Sequence, residues 1–346
     1  MNINPYIEDI LSQPRELENS LRTLDLSPLT QIKLLIDQGE IDRIVITGMG
    51  ASLYGVYPAW MLLTQAGLPA FWVDTAELVH YLSKLITPKT LLWMVSQSGR
   101  SAELMHFFGR SSLPKPKLIF AITNDLSSSL AKAAHITLSI NTPAELTVST
   151  RTYLNTLAIS QVAALELTGQ NTQKGIEDLL IASDSLNAYL KNWQDHVENL
   201  KQWIGLPRNL VILGRGPSLA ATHTGALIIG EAAKFPAIAL NAAEFRHGPL
   251  ELVKPDLSVM ILSGASTTLP LNRHLAEDIL HLGGSAFWVS PRSVSNLPHV
   301  EMPHGDGLGL PVAEIVPFQL LSVAIAQQSG IEAGKFLFSG KVTLTE

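Results

Sequence analysis

Apolar residues follow two rhythms along this chain. Over residues 5–38, Ile7, Ile10 and Leu11, then Leu17, Leu21 and Leu24, recur near helical spacing. Ser27-Pro28 breaks that pattern, so one helix ends there and a second is predicted to run on to Asp37. Beyond it the apolar residues gather into short unbroken runs, at 43–47, 71–73, 91–95, 118–122 and 136–140. Each is too short for a helix of its own and is sized like a buried strand. Helical stretches, among them 53–66 and 102–108, lie between most of them. That alternation predicts a parallel, doubly wound sheet.

The pattern then repeats. RIVITGMGASLYG (43–55) matches RNLVILGRGPSLAA (208–221), with Gly48, Gly50 and Ser52 falling on Gly214, Gly216 and Ser218 at an offset of 166. AFWVDTAELVHY (70–81) matches AIALNAAEFRHG (237–248), which pairs Glu77 with Glu244 and His80 with His247. LLWMVSQSG (91–99) and LIFAIT (118–123) find their counterparts in LSVMILSGA (257–265) and SAFWVS (285–290). The helix after Thr150 resembles the one after Val316. Segments in one order at one offset indicate two copies of one α/β unit, joined by helical sequence over about 152–203. The expected division is 1–190, holding the N-terminal helices, the first copy and the helical connection, and 191–346, holding the second copy and the tail.

Composition narrows the function. At 346 residues, 46% hydrophobic and 16% charged, the chain has material for two well-filled cores. Net charge is −6 with no basic run, which argues against a nucleic-acid partner. There is no cysteine, so disulfides and thiol chemistry are excluded. The polar, acidic N-terminus lacks the apolar centre of a signal peptide, and no uninterrupted apolar run of membrane-spanning length is expected. The expectation is a soluble cytoplasmic protein with no membrane contact. The histidines show no metal-ligand spacing, and the Gly214-Arg215-Gly216 turn lacks the continuation of a dinucleotide fingerprint. No metal and no nucleotide cofactor is expected.

The stretch with the most chemical information is Ser96-Gln97-Ser98-Gly99-Arg100-Ser101, where a predicted strand hands over to a helix. Free N–H groups and the positive end of the helix dipole suit a phosphate or carboxylate there. Gly99 lets the backbone come close. The second copy has SGASTT at this point, but carries AEFRHGPLEL where the first has AELVHYLSKL. One half is thus marked for anion binding and the other for chemistry. Glu231 sits among Leu227, Ile228 and Ile229, where desolvation would suit it to proton transfer. Taken alone, this segment favours the plainer reading of an exposed helix glutamate beside Lys234. His247 stands out among ten histidines by its charged loop setting. Glu145 and Ser149-Thr150-Arg151 form a further polar cluster, either a helix cap or an extension of the anion site. Lys341 lies in a tail, GKFLFSGKVTL, too apolar for a frayed end and expected to pack back over the protein.

Together these stretches resemble the sugar isomerase (SIS) superfamily, in particular the isomerase half of glutamine–fructose-6-phosphate aminotransferase and its stand-alone relatives. The resemblance rests on YIEDILSQPREL, SQSGRS, AEFRHGPLEL and KVTLTE and covers nearly the whole chain. It implies an α/β fold of two tandem SIS domains, each a doubly wound parallel β-sheet flanked by helices in a flavodoxin-like sandwich. It implies phosphate contacts from Ser52, Ser96, Gln97, Ser98 and Ser101, and sugar contacts from Ala51, Ser149 and Gly340. Glu231 falls on the family's proton-shuttling glutamate, His247 on its ring-opening histidine and Lys341 on the tail lysine that contacts the open-chain sugar. A homodimer is implied, with His247 reaching the neighbouring subunit's site.

Departures from the aminotransferase pattern refine the expectation. Its second lysine and an upstream glutamate are Ile228 and Thr224 here, and its GVASTK motif is shortened to TVSTR. The 346 residues contain no cysteine, and a chain without a glutaminase half is expected, so release of ammonia from glutamine is not. The pattern resembles stand-alone members that run toward amine release. The expected substrate is a phosphorylated amino sugar. The expected reaction is deamination of glucosamine 6-phosphate to fructose 6-phosphate. A fructosamine-6-phosphate deglycase, a simple phosphosugar isomerase and a non-catalytic phosphosugar sensor are the alternatives.

Overall fold

The structure is a computed structural model and describes residues 4–294, 296–338, 340–343 and 345. Two five-stranded parallel sheets organise it. The first has strands β1 (Arg43–Gly48), β2 (Ala70–Asp74), β3 (Thr90–Val95), β4 (Leu118–Thr123) and β5 (Ile136–Ser139) in the order β2-β1-β3-β4-β5. The second has β6 (Asn209–Gly214), β7 (Ala237–Asn241), β8 (Leu257–Leu262), β9 (Ser285–Ser290) and β10 (His299–Glu301) in the order β10-β9-β8-β6-β7. Read from its other edge, the second order repeats the first. Both are the flavodoxin-like arrangement, with a switch point between the first and third strands of each sheet. The sequence duplication is therefore a duplication of topology.

The strands form where the apolar runs predict them, and their burial explains why the runs are unbroken. Every residue of β3 and of β8 is buried, because a parallel strand covered by helices on both faces has no solvent side. Trp93 on β3 packs against Phe120 on β4 with ring centroids 4.8 Å apart. Below the first sheet Ile44, Ile46, Leu91, Val95 and Ile122 continue that core into helix Arg151–Thr168 through Ile159 and Ala163. The second sheet has its own core in Val211, Val259, Ile261, Leu275 and Trp288.

The chain folds into two compact units that are not simple halves of the sequence. One comprises Met1–Arg15, Glu145–Thr150 and Asp178–Leu337, and holds the second sheet. The other comprises Glu16–Ala144, Arg151–Glu177 and Phe338–Glu346, and holds the first sheet.

Two expectations are revised in detail. The helix foreseen over 53–66 is two helices, Gly50–Gly55 and Tyr57–Gln65, interrupted next to Pro58. The other concerns membrane-spanning length. The segment Gly307–Gln328, with mean hydropathy 1.8, is long and apolar enough to cross a membrane. In the fold an 18-residue window of it is 94% buried inside the protein, and it holds helices Leu310–Glu314 and Val316–Gln328 around a fully buried carboxyl group, Glu314. It is a core segment, apolar all round because it is surrounded by protein.

Candidate functional site

In the first-sheet unit the loops after β1 and β3 meet at the switch point. Gly48 ends β1 so close to β3 that a Cβ there would lie 2.8 Å from the Val95 carbonyl oxygen. Only glycine permits that approach, and it keeps the two loops side by side. The first loop turns at Gly50, in the left-handed region at φ 50°, into the short helix that carries Ala51 and Ser52, both half-buried. The Ser52 N–H closes the turn on the Met49 carbonyl at 3.1 Å.

The second loop, residues 96–101, is braced from within and from β4. The Gly99 N–H donates to Ser96 Oγ at 3.1 Å, and the Arg100 N–H to Ser98 Oγ at 3.3 Å. The Gln97 carbonyl accepts from the Asn124 N–H at 3.1 Å and from Thr123 Oγ1 at 3.3 Å. Gly99 has φ 60°, and a Cβ there would come within 2.6 Å of Ser128 Cβ. Arg100 swings away from the loop to Asp125 Oδ2 at 2.6 Å and Ser127 Oγ at 3.1 Å. Its charge is therefore neutralised, and Asp125 is held below its ordinary pKa chiefly by hydrogen bonds from the Ser127 hydroxyl and N–H. Half-buried Ser98 and Ser101, with the half-buried Gln97 amide, remain at the mouth of the loop. Ser101 is the N-cap of helix Ala102–Gly109, yet its side chain makes no cap hydrogen bond. Its hydroxyl is free to turn to a ligand.

The tail returns to this same place. The Ala102 N–H, in the first turn of that helix, donates to the Thr343 carbonyl at 3.0 Å. Lys341, half-buried, and Gly340, exposed, precede that contact by a few residues. The tail thus meets this helix at Thr343, but its apolar residues Leu337 and Phe338 are exposed rather than packed.

The second-sheet unit carries the other candidates. Glu231 lies half-buried in the last turn of helix Leu219–Ala233, and Lys234, in the left-handed region at φ 55°, donates its ammonium to the Glu231 carbonyl. Near it is a residue that sequence reasoning missed, Tyr6, which is fully buried with its hydroxyl 2.9 Å from Ser322 Oγ. Burial raises the Tyr6 pKa, the hydrogen bond to Ser322 opposes this, and the charges of Glu231, Glu145 and Asp9 raise it further. Tyr6 is thus a neutral group facing three carboxyls. Glu145 is buried, and its Oε1 accepts the Thr150 N–H at 2.9 Å and the Thr150 hydroxyl at 2.8 Å. That clamp shapes the turn presenting half-buried Ser149, while Thr147 donates to Asp9 Oδ2 at 3.1 Å.

His247 follows helix Ala242–Arg246 and is exposed, its N–H closing on the Glu244 carbonyl at 2.8 Å. His223, two turns before Glu231 on the same helix, is a second histidine unmarked by any motif. Burial lowers its pKa, opposed by the charge of Glu244. Of the candidates, Ala51, Ser52, Ser96, Gln97, Ser98, Ser101, Gly340 and Lys341 fall in the first-sheet unit, and Ser149, Glu231 and His247 in the second-sheet unit.

Comparison with known proteins agrees with this geometry. The SIS domain family model matches residues 39–166, the stretch that holds the first sheet and its flanking helices. Over almost its whole length the chain is homologous to the isomerase domain of glutamine–fructose-6-phosphate aminotransferase. It is 25% identical to the isomerizing enzyme of Thermus thermophilus over 336 residues, 92% of this chain and 55% of that protein. It is likewise 25% identical to the Clostridium perfringens enzyme, over 95% of this chain and 57% of that protein. The chain spans about half the length of these curated relatives. Among solved structures, the C-terminal domain of glucosamine-fructose-6-phosphate aminotransferase from Francisella tularensis superposes with a TM-score of 0.85 at 22% identity, covering 96% of this chain and 98% of that one. Glucosamine-6-phosphate deaminase from Thermotoga maritima superposes at 0.74 with 17% identity, over 98% and 99%. These structural likenesses establish the fold.

Proposed function

We propose that this chain is an aldose–ketose isomerising enzyme acting on a phosphosugar, and specifically a glucosamine-6-phosphate deaminase. The observation that carries the reading is the 96–101 loop. It lies at the switch point of the first sheet, within the stretch that the SIS domain family model matches, glycine-shaped, with its one cation already paired and its Ser98 and Ser101 hydroxyls and Gln97 amide half-exposed. Such a loop meets a phosphate with neutral donors and backbone N–H groups. Ser52, Ser96, Gln97, Ser98 and Ser101 hold the phosphate, and Ala51, Ser149 and Gly340 adjoin the sugar. The exposure of His247 supports the reading that it completes the site of a neighbouring subunit in a homodimer.

The reaction needs few parts. His247 takes the proton from O1 and returns one to the ring oxygen, opening the pyranose to the aldehyde. Glu231 removes the proton from C2 and delivers it to C1 while the amine nitrogen gives up one proton and O1 gains one, which moves the carbonyl level to C2 as an imine and leaves C1 an alcohol. Water adds to C2 and ammonia leaves, giving fructose 6-phosphate. Lys341 contacts the open-chain sugar. No step calls for oxidation or reduction.

Incubating the pure protein with glucosamine 6-phosphate and measuring ammonia and fructose 6-phosphate together is the direct test. Equal release of both supports the deaminase. Turnover of other phosphosugars without ammonia points instead to a simple isomerase, and release of ammonia or amine only from a fructosamine 6-phosphate to a deglycase. Glu231→Gln keeps the side chain's size and loses its proton-transfer capacity. It is expected to lower kcat by at least about 100-fold with substrate binding retained. A fully active Glu231→Gln enzyme would overturn the mechanism.

A further inference from the structure

The second sheet repeats the switch point of the first, but the residues there have changed in kind. The loop after β6, Gly214–Ser218, and the loop after β8, Ser263–Thr268, occupy the positions that Gly48–Ser52 and Ser96–Ser101 hold in the first sheet. Ser218, the counterpart of Ser52, is fully buried and turned inward, donating to Glu314 Oε1 at 2.8 Å. The hydroxyl that the first copy leaves half-exposed is therefore spent on the core. Where the first copy offers neutral donors, the second offers a cation.

That cation is Arg215, half-buried, with its Nε donating to Asn272 Oδ1 at 2.8 Å. Asn272 is itself fully buried and locked, its Nδ2 bonded to the Leu262 carbonyl at 3.1 Å and the Ser263 carbonyl at 3.2 Å. The guanidinium is thus oriented by a fixed partner, and its two terminal amino groups make no hydrogen bond or ion pair among the described residues. The charged neighbour it senses is another arginine, Arg246, whose own partner is Asp278 at 2.7 Å. Burial, and then Arg246, pull the Arg215 pKa below its ordinary value. Arg246 has a carboxylate partner in Asp278, whereas Arg215 has none within ion-pair distance among the described residues. Gly264, at φ 70°, keeps the loop against this group, since a Cβ there would stand 3.1 Å from Asn272 Nδ2. Beyond it the loop exposes the hydroxyls of Ser266 and Thr267.

We propose that the switch point of the second sheet is a second anion site, in which the fixed Arg215 guanidinium and the Ser266 and Thr267 hydroxyls receive a phosphate group, either free phosphate or a phosphate monoester. A guanidinium with one nitrogen anchored presents its remaining fork to two phosphate oxygens, and an anion there relieves the repulsion between Arg215 and Arg246. The site is independent of the proposed chemistry and belongs to the copy that lacks the SQSGRS loop.

Equilibrium dialysis of the full chain with radiolabelled inorganic phosphate at low ionic strength tests this. Wild type is expected to bind one phosphate at the 96–101 loop and a second at Arg215. Arg215→Gln should abolish the second, weakening it by at least about 10-fold as a charge-assisted fork is lost, and Arg215→Lys should weaken it less. Thr267→Glu, at an exposed position, should abolish it as well, and serves as the check if Arg215→Gln melts at a lower temperature. Ser96→Ala/Ser98→Ala should leave the Arg215-dependent phosphate in place. If that double variant binds as wild type does, the first-copy reading fails while this one stands. Displacement of the Arg215-dependent phosphate by fructose 6-phosphate identifies a phosphosugar ligand, and its persistence identifies free phosphate. Phosphate binding unchanged in folded Arg215→Gln and in Thr267→Glu overturns the proposal.

Discussion

At the scale of single residues, the two copies differ in how each uses its carboxyl groups and glycines. Glu314 is fully buried, and burial pushes its pKa up to about 8, with the Ser218 hydrogen bond opposing. An acid whose folded pKa lies above its unfolded value binds more protons when folded. Stability is therefore greatest below about pH 4.5 for this group, declines as pH rises, and levels off above about 8. Glu314→Gln should flatten that decline and raise stability at pH 8.5 by on the order of 1–4 kcal/mol relative to its effect at pH 5, read from urea melts at both values. Gly99 presents the opposite case, a residue defined by what it lacks. Gly99→Ala must place a Cβ against Ser128 at a positive φ. A loss of about 1–3 kcal/mol is expected, together with weaker phosphosugar binding, measured by thermal melts and by titration. The sequence exposed Gly99 through its motif. It gave no sign of Glu314, because a glutamate in the apolar run LPVAEIVPF looks like the boundary of a helix until its burial is seen.

At the scale of elements, helix Pro5–Arg22 carries a buried polar seam. The Ser322 hydroxyl donates to the Gln319 carbonyl at 2.7 Å, so its oxygen is left to accept from the Tyr6 hydroxyl at 2.9 Å. Gln319 and Gln13 exchange side-chain hydrogen bonds at 2.8 and 2.9 Å, and Gln13 also reaches the Ile10 carbonyl. All four residues are fully buried or nearly so. Such a network stabilises little in sum but is costly to break on one side. Gln319→Leu should cost about 1–3 kcal/mol by stranding the Gln13 amide, and the Gln13→Leu/Gln319→Leu pair should cost less than the two singles added. A double-mutant cycle in urea settles it. Helix periodicity predicted this helix from Ile7, Ile10, Leu17 and Leu21, all buried in the fold. It could not predict that Tyr6 and Gln13 join them, because both residue types are ordinarily surface-compatible and their partners lie some 300 positions away in the chain.

At the scale of the whole molecule, strand positions and their parallel direction were legible because burial on both faces forces continuous apolar runs, and because the runs recur at nearly one offset. The 96–101 loop was legible for a related reason: a strand-to-helix turn concentrates its signal in six consecutive residues. The chemical candidates were not concentrated in that way. Glu231, His247 and Lys341 each look unremarkable in their own segment, and the resemblance to a family singled them out. Their surroundings, Tyr6, Glu145 and His223, come from segments that no local pattern connects. The compact units cut across the repeat, since residues 1–15 and 145–150 cluster with the second sheet. The proposed Arg215 site is likewise visible only after folding, where the second copy carries a cation at the switch point that hydroxyls hold in the first.

The hydrogen bond from the Ala102 N–H to the Thr343 carbonyl has a consequence in time. Helix Ala102–Gly109 and the loop before it are made early in synthesis, while the carbonyl that takes one of the helix's first free N–H groups is made more than two hundred residues later. At typical rates of roughly 5–20 residues per second, the first sheet has many seconds to assemble before its tail exists. Helix Ala102–Gly109 therefore gains this partner only once Thr343 has left the ribosome, and a nascent chain arrested short of Thr343 would carry the first sheet with that N–H unpaired.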